Sequence, residues 1–168
     1  MKIAICGKIC SGKSYIANYL HQKYNFKIYS FSMGVKKYAV ELFDMKEKDR
    51  KLLQLLSRNM KEIDENVWIN FLDKNLKTTD QHIVIDDLRF ENEYHYLKKN
   101  DFILIKLNIN SDLQKKRILD TYPNNFQNHL DNLEDSSENL IDLDFDYTFN
   151  VSLNTEKNII GFIEKILE

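Results

Sequence analysis

Residues 7–14 read Gly7-Lys8-Ile9-Cys10-Ser11-Gly12-Lys13-Ser14 and fit the pattern G-x-x-x-x-G-K-[ST] in full. These types at this spacing suit one task, holding a row of phosphates. Gly7 and Gly12 let the backbone bend so that successive N–H groups face the anion, with Lys8, Cys10 and Ser11 supplying amides in between. A helix starting near Lys13 would turn its positive end to the same point. Lys13 would then reach the β- and γ-phosphates of a triphosphate such as ATP, and the Ser14 hydroxyl would coordinate Mg2+. The chain holds four glycines, and two of them stand at the required positions. Cys10 invites a redox reading, but a small residue tolerated in the loop explains it as well.

A second stretch with chemistry is Ile83-Val84-Ile85-Asp86-Asp87-Leu88-Arg89-Phe90, an apolar run that ends in two carboxylates. A carboxylate there can hold a metal or hydrogen-bond an acceptor. Asp87 is taken as the functional one. Asp86 is divided between the site and a helix cap. Of the 24 basic residues, only Arg50, Arg58, Arg89 and Arg117 are arginine. Planar, bidentate phosphate recognition is what lysine cannot replace, so these four draw suspicion, although exposed ion pairs account for one or two of them. Arg89 and Arg117 rank first, by their positions after the acidic strand end and before a polar segment. His21, His82, His95 and His129 are scattered, and no histidine or cysteine set of the kind a hydrolytic nucleophile needs is apparent.

The elements that must place these residues alternate. Strands are expected at 2–6, 26–31, 82–86, 102–107 and 147–151. Helices are expected at 13–24, 35–43, 47–63, 66–76, 92–99, 112–119 and 155–167, the last capped by Asn154 or Thr155. Strands separated by helices imply parallel crossovers, hence a three-layer α/β fold with a five-stranded parallel sheet. Ligands in such sheets sit beyond the carboxyl ends of the strands, where both special stretches fall. Residues 120–138 are polar, contain the single proline, Pro123, and read as a loop or lid.

Length and charge bound the rest. A chain of 168 residues makes one domain with one core. Residues 118–168 carry two lysines against eleven carboxylates, a net −9, which leaves the first 117 residues at 22 − 15 = +7. A basic front suits a nucleotide and is too weakly basic for duplex nucleic acid. No apolar run approaches the roughly 20 residues of a membrane span. Two cysteines make no disulfide framework, so a reducing, cytoplasmic setting is expected.

The chain also resembles the deoxynucleoside monophosphate kinases of bacteriophages and large DNA viruses. Asp87-Leu88-Arg89-Phe90-Glu91-Asn92-Glu93 is similar to that family's D-V-R-F-P-N-E, and Phe31-Ser32-Met33-Gly34-Val35-Lys36 to its F-A-D-P-L-K. Lys48-Asp49-Arg50-Lys51-Leu52-Leu53-Gln54 resembles K-D-R-x-L-L-Q, and Asp64-Glu65-Asn66-Val67-Trp68-Ile69 its D-x-D-x-W-I. Ser137-Glu138, Asp146 and Asn150 resemble H-x-S-E and the D and N before the last helix. The departures are Glu91 for proline, Asp135 for histidine, Lys61 for arginine and Met33-Gly34 for D-P, and they bear on base specificity.

The resemblance implies a P-loop kinase fold in which residues 31–77 form a helical acceptor-binding region and residues 112–138 a lid. It implies that Lys36, Arg58, Trp68, Asp87, Arg89 and Glu138 contact a nucleoside monophosphate, that Ser14 and Asp87 serve the metal, and that Lys13, Arg89 and Arg117 act on the transferring phosphoryl group. The cofactors implied are ATP and Mg2+. A homodimer is left open. The Asn-, Ile- and Lys-heavy composition suits an AT-rich viral genome, which would place the protein in the host cytoplasm. Two rival readings stand beside this one: a kinase of another small phosphorylated metabolite, and a nucleotide-binding switch or inactive relative without an acceptor.

Overall fold

A computed structural model describes residues 1–131, 143–154 and 156–167. Five strands, β1 (Lys2–Gly7), β2 (Lys27–Tyr29), β3 (Ile83–Leu88), β4 (Ile103–Asn108) and β5 (Tyr147–Asn150), form one sheet in the order β2-β3-β1-β4-β5. Every neighbouring pair is parallel. The helices are α1 (Lys13–Tyr24), α2 (Ser32–Phe43), α3 (Arg50–Ile63), α4 (Val67–Leu76), α5 (Glu91–Lys99), α6 (Ser111–Thr121), α7 (Phe126–Asp131) and α8 (Glu156–Leu167). The expected three-layer parallel architecture is the observed one. No helix among the described residues is long and apolar enough to cross a membrane.

β1 shows why the sheet is central. Ile3 and Ile5 enter one core with Ile16, Ala17 and Leu20 of α1 and Ile159 and Ile163 of α8. Ala4 and Cys6 enter the other, with Ile69 and Leu72 of α4 and Tyr94 and Leu97 of α5. An apolar residue at every position is what a strand covered on both faces requires. Burial pushes the Cys6 thiol up to about 12, so it is an inert core group.

Several boundaries differ from expectation for local reasons. α3 starts at Arg50, three residues later than expected, because Asp49 caps it by accepting from the Leu52 N–H (3.0 Å). α2 starts at Ser32, three residues early, because the Phe31 and Ser32 amides are held by the Asp87 carboxylate (2.9 and 3.0 Å). Within the polar 120–138 stretch, α6 continues to Thr121 and α7 forms at Phe126–Asp131. The buried His129 ring, stacked on Tyr122 at 4.1 Å, gives α7 its anchor. Asp135, Ser137, Glu138, Thr155 and the end of the expected lid lie outside the described residues.

β3 carries an irregularity with consequences. Ala4 pairs with Ile85 and Cys6 with Leu88, so Asp86 and Asp87 together oppose Ile5 alone. Such a bulge re-aims side chains at the end of a strand.

Candidate active site

The loop between β1 and α1 lies at the carboxyl edge of the central strand. Its turn depends on Gly12, whose φ of +100° favours a residue without Cβ. Cys10 also has positive φ, 60°. A Cβ on Gly7 would collide with the Ser11 hydroxyl and lie 2.9 Å from the Leu107 carbonyl oxygen, so no larger residue fits there. The Ser11 amide donates to Lys8 O (3.2 Å), closing the bend, and Lys13 Nζ donates to Gly7 O (2.5 Å) and Lys8 O (2.9 Å). The buried Ser11 hydroxyl has no hydrogen-bond partner among the described residues. A buried donor without an acceptor, inside a cradle of amides, fits a phosphate oxygen.

α6 docks on this loop from the far side. Arg117 Nη1 donates to Cys10 O and the buried Gln114 amide to Ile9 O, each at 3.2 Å. The structure thus brings Arg117 to the phosphate loop. Gln114 was missed, because a single glutamine on a polar helix carries no sequence signal.

The two carboxylates of β3 point apart. Val84 faces the α1 side of the sheet, and two residues on, so does Asp86, whose Oδ2 accepts from Ser14 Oγ at 2.7 Å. Asp87 faces α2. Its Oδ1 accepts from the Phe31 amide (2.9 Å) and its Oδ2 from the Ser32 amide (3.0 Å). Burial raises the Asp87 pKa while these two amide donors act to lower it. This corrects the expectation that Asp87 is the metal partner of Ser14. Consecutive strand residues face opposite ways, and the one beside Ser14 is Asp86. A hydroxyl and a carboxylate are hard oxygen donors that fit Mg2+. No cluster of three or more histidines, cysteines or carboxylates able to hold a metal occurs among the described residues. Ser14 and Asp86 would supply two oxygen ligands to such an ion.

Beyond Asp87 the chain turns through Arg89 and Phe90. One oxygen of the buried Glu93, Oε2, accepts from both of their amides (2.9 and 3.2 Å). Burial, then the charge of Asp87, pushes Glu93 up to about 7. Lys61 of α3 lies over the Phe90 ring at 3.3 Å from its centroid, and the Asn92 amide donates to Glu65 O (3.3 Å) and Asn66 Oδ1 (3.1 Å). These contacts tie the Arg89 turn to α3 and α4.

The residues expected around an acceptor divide. Lys36, on α2, and Arg89, in the turn after β3, are exposed, and their charges help to lower the Lys48 pKa. Trp68 is only 3% exposed; it packs on Gly34 and donates to Ser57 O (3.4 Å). It joins α2, α3 and α4 and offers no open face to a ligand. Arg58 is exposed on α3.

Comparisons with known proteins bear on the frame rather than on the acceptor. The sequence model described as AAA domain matches residues 3–142. Among solved structures, TT1252 from Thermus thermophilus has TM-score 0.65 at 12% identity, covering 99% of this chain and 96% of that one. The Mycobacterium tuberculosis APS kinase CysC, in complex with AMPPNP and APS, has TM-score 0.56 at 10% identity, covering 99% and 98%. Shikimate kinase from Acinetobacter baumannii, in complex with shikimate, has TM-score 0.54 at 12% identity, covering 99% and 92%. At these identities the likeness is one of fold. No curated protein matches the chain at a significant level.

Proposed function

The chain belongs to the AAA domain family and has the P-loop kinase fold, and from that premise we propose that it is a nucleoside monophosphate kinase, acting on deoxynucleotides, that transfers the γ-phosphate of ATP to the acceptor. One observation carries the reading. At the end of β3, Asp86 turns to the phosphate loop through Ser14 while Asp87 turns to the start of α2 and the exposed Arg89 follows it, so the strand end has one side at the loop and another toward α2 where an acceptor phosphate would sit. A switch that only holds a triphosphate needs the first and has no use for the second. The preference for deoxynucleotides rests on the sequence resemblance alone.

In this reading the loop amides, the Ser11 hydroxyl and Lys13 bind the β- and γ-phosphates. Ser14 and Asp86 would hold Mg2+, which would supply charge neutralisation at the phosphates when bound. Arg117 sits on the loop through Cys10 O and is placed to meet the transferring group, and Arg89 and Lys36 hold the acceptor phosphate. That acceptor is already ionised at neutral pH, so no general base is required and positioning dominates. The absence of a His or Cys nucleophile set at the loop is consistent with this.

The test is ADP formation measured against the full set of ribo- and deoxynucleoside monophosphates. Turnover should depend on an added monophosphate, with deoxynucleotides preferred. Equal turnover without acceptor would contradict the reading, and turnover only with a non-nucleotide phosphorylated metabolite would favour that rival. Arg117→Ala should lower kcat by about 10- to 100-fold with a smaller change in acceptor KM. The reverse pattern would remove Arg117 from the transfer step.

A further inference from the structure

Ser11, Glu93, Gln114 and His129 are the buried polar side chains among the described residues. Ser11 lines the phosphate cradle and Glu93 clamps the Arg89 turn. His129 seats α7 between Tyr122 and Arg50, whose Nη1 lies 3.2 Å from its Nδ1. Gln114 is 3% exposed on the inner face of α6, where Leu113 packs on the core shared by α1 and α8 and Ile118 is fully buried. A leucine would complete that face. An amide buried in its place costs free energy unless it makes hydrogen bonds. The bond it makes runs to the phosphate loop: Gln114 Nε2 donates to Ile9 O at 3.2 Å.

That carbonyl belongs to the peptide between Ile9 and Cys10. The peptide is trans and planar, so its C=O and N–H point in opposite directions. Drawing Ile9 O to α6 therefore turns the Cys10 N–H away from α6, to the other side of the loop. Cys10 has φ 60°, in the left-handed region that a residue with a Cβ rarely adopts, so the turn needs holding from outside. The next carbonyl, Cys10 O, accepts from Arg117 Nη1 at 3.2 Å. These two donors differ in kind. A guanidinium is drawn strongly to phosphate, and a neutral amide far less. They also differ in footing. Gln114 lies in the first turn of α6, whose cap Asn110 accepts from the Leu113 N–H (2.8 Å) and donates its own N–H to Ser152 Oγ (3.0 Å), just past β5. Arg117 lies a turn further on, toward α7.

We propose that Gln114 is a positioning residue for the phosphate loop. By holding the Ile9–Cys10 peptide it aims the Cys10 N–H at a phosphate oxygen of the donor, and it keeps the loop in shape when Arg117 turns to the transferring group. The proposal rests on the reading of the loop as a triphosphate site and on no property of the acceptor.

Equilibrium binding tests it without an acceptor, with a non-hydrolysable ATP analogue plus Mg2+ and with inorganic triphosphate as probes. Gln114→Met keeps the length of the side chain and removes the donor. It should weaken both probes by about 5- to 50-fold, the effect of leaving a loop carbonyl unpaired and its peptide free to turn. Gln114→Glu, the same shape with an acceptor in place of the donor, should lose at least as much, and it decides the matter if Gln114→Met fails to fold. Ile118→Val loosens the same face of α6 without touching Ile9 O. It should lower the unfolding temperature while both affinities stay within about twofold of wild type. In steady state, Gln114→Met should raise the KM for ATP by the same factor as the binding loss and leave the acceptor KM within about twofold. Unchanged binding in the Gln114 variants would overturn the proposal. So would an equal loss in Ile118→Val, which would reduce Gln114 to the docking of α6. A loss for the ATP analogue with none for inorganic triphosphate would overturn it too, by moving the residue to the nucleoside. Wild type that binds the analogue and phosphorylates no nucleoside monophosphate would lose the kinase reading alone, since the binding ratios still decide the role of Gln114.

Discussion

The two sides of the β3 end handle anions by different means. On the donor side, recognition is built from backbone: a loop of eight residues, two glycines, and N–H groups whose placement follows from φ and ψ. On the proposed acceptor side it would be built from side chains, Lys36 and Arg89 coming from separate segments, with the Asp87 and Glu93 carboxylates holding main-chain amides beside them. Backbone recognition fixes sequence spacing, because the residues must be contiguous. Side-chain recognition fixes only charge and reach, so its spacing is free. One side is therefore rigid and general, the other adjustable and specific.

The largest effect should come from breaking the donor side. Lys13→Ala should reduce turnover by about 1,000-fold, since the proposal puts its ammonium on the phosphates, while stability should fall only by the loss of its bonds to Gly7 O and Lys8 O. A loss of less than about tenfold would mean that the loop serves binding alone. The adjacent carboxylates sharpen the contrast next. Asp86→Asn should cost about 100-fold in turnover and respond to raised Mg2+, as a weakened metal ligand does. Asp87→Asn should instead lower stability by about 1–3 kcal/mol, through weaker capping of the Phe31 and Ser32 amides, with the Mg2+ dependence unchanged. Exchange of these two outcomes would restore Asp87 as the metal residue.

The smallest effect concerns the clamp on the Arg89 turn. Glu93 has its pKa raised from 4.5 to about 7 in the folded protein, so between these values the native state binds more protons than the unfolded one. Its contribution to stability is fully present below pH 4.5 and is lost as pH rises through about 7. Glu93→Gln keeps an oxygen for both amides and removes the titration. The difference in unfolding free energy between variant and wild type should then grow in favour of the variant across this window, by up to roughly 3 kcal/mol. A difference that does not change with pH would show that the Glu93 carboxylate does not titrate there.

The legibility of the sequence follows the same division. The phosphate loop, the five strands and their parallel direction could be read because each leaves a local pattern: two glycines at a set spacing, apolar runs, alternation of element types. The facing of Asp86 and Asp87 could not. Ile83, Val84 and Ile85 are all apolar, so no alternation marks which side of the sheet each faces, and the bulge that re-aims the pair leaves no composition signal. Trp68 was placed at the acceptor by the family resemblance alone, and in the structure it is buried, packed on Gly34 and donating to Ser57 O. His129 was one of four scattered histidines, and its link to Arg50 depends on α7, a helix formed where a polar loop was expected.

The central claim is that the strand end separates a donor from an acceptor. Following the fate of a radiolabelled γ-phosphate tests it most directly. With ATP labelled at that position and a deoxynucleoside monophosphate present, the account predicts label in the corresponding diphosphate, at a rate that saturates with acceptor. Label released only as inorganic phosphate, at the same rate with and without the monophosphate, would contradict it.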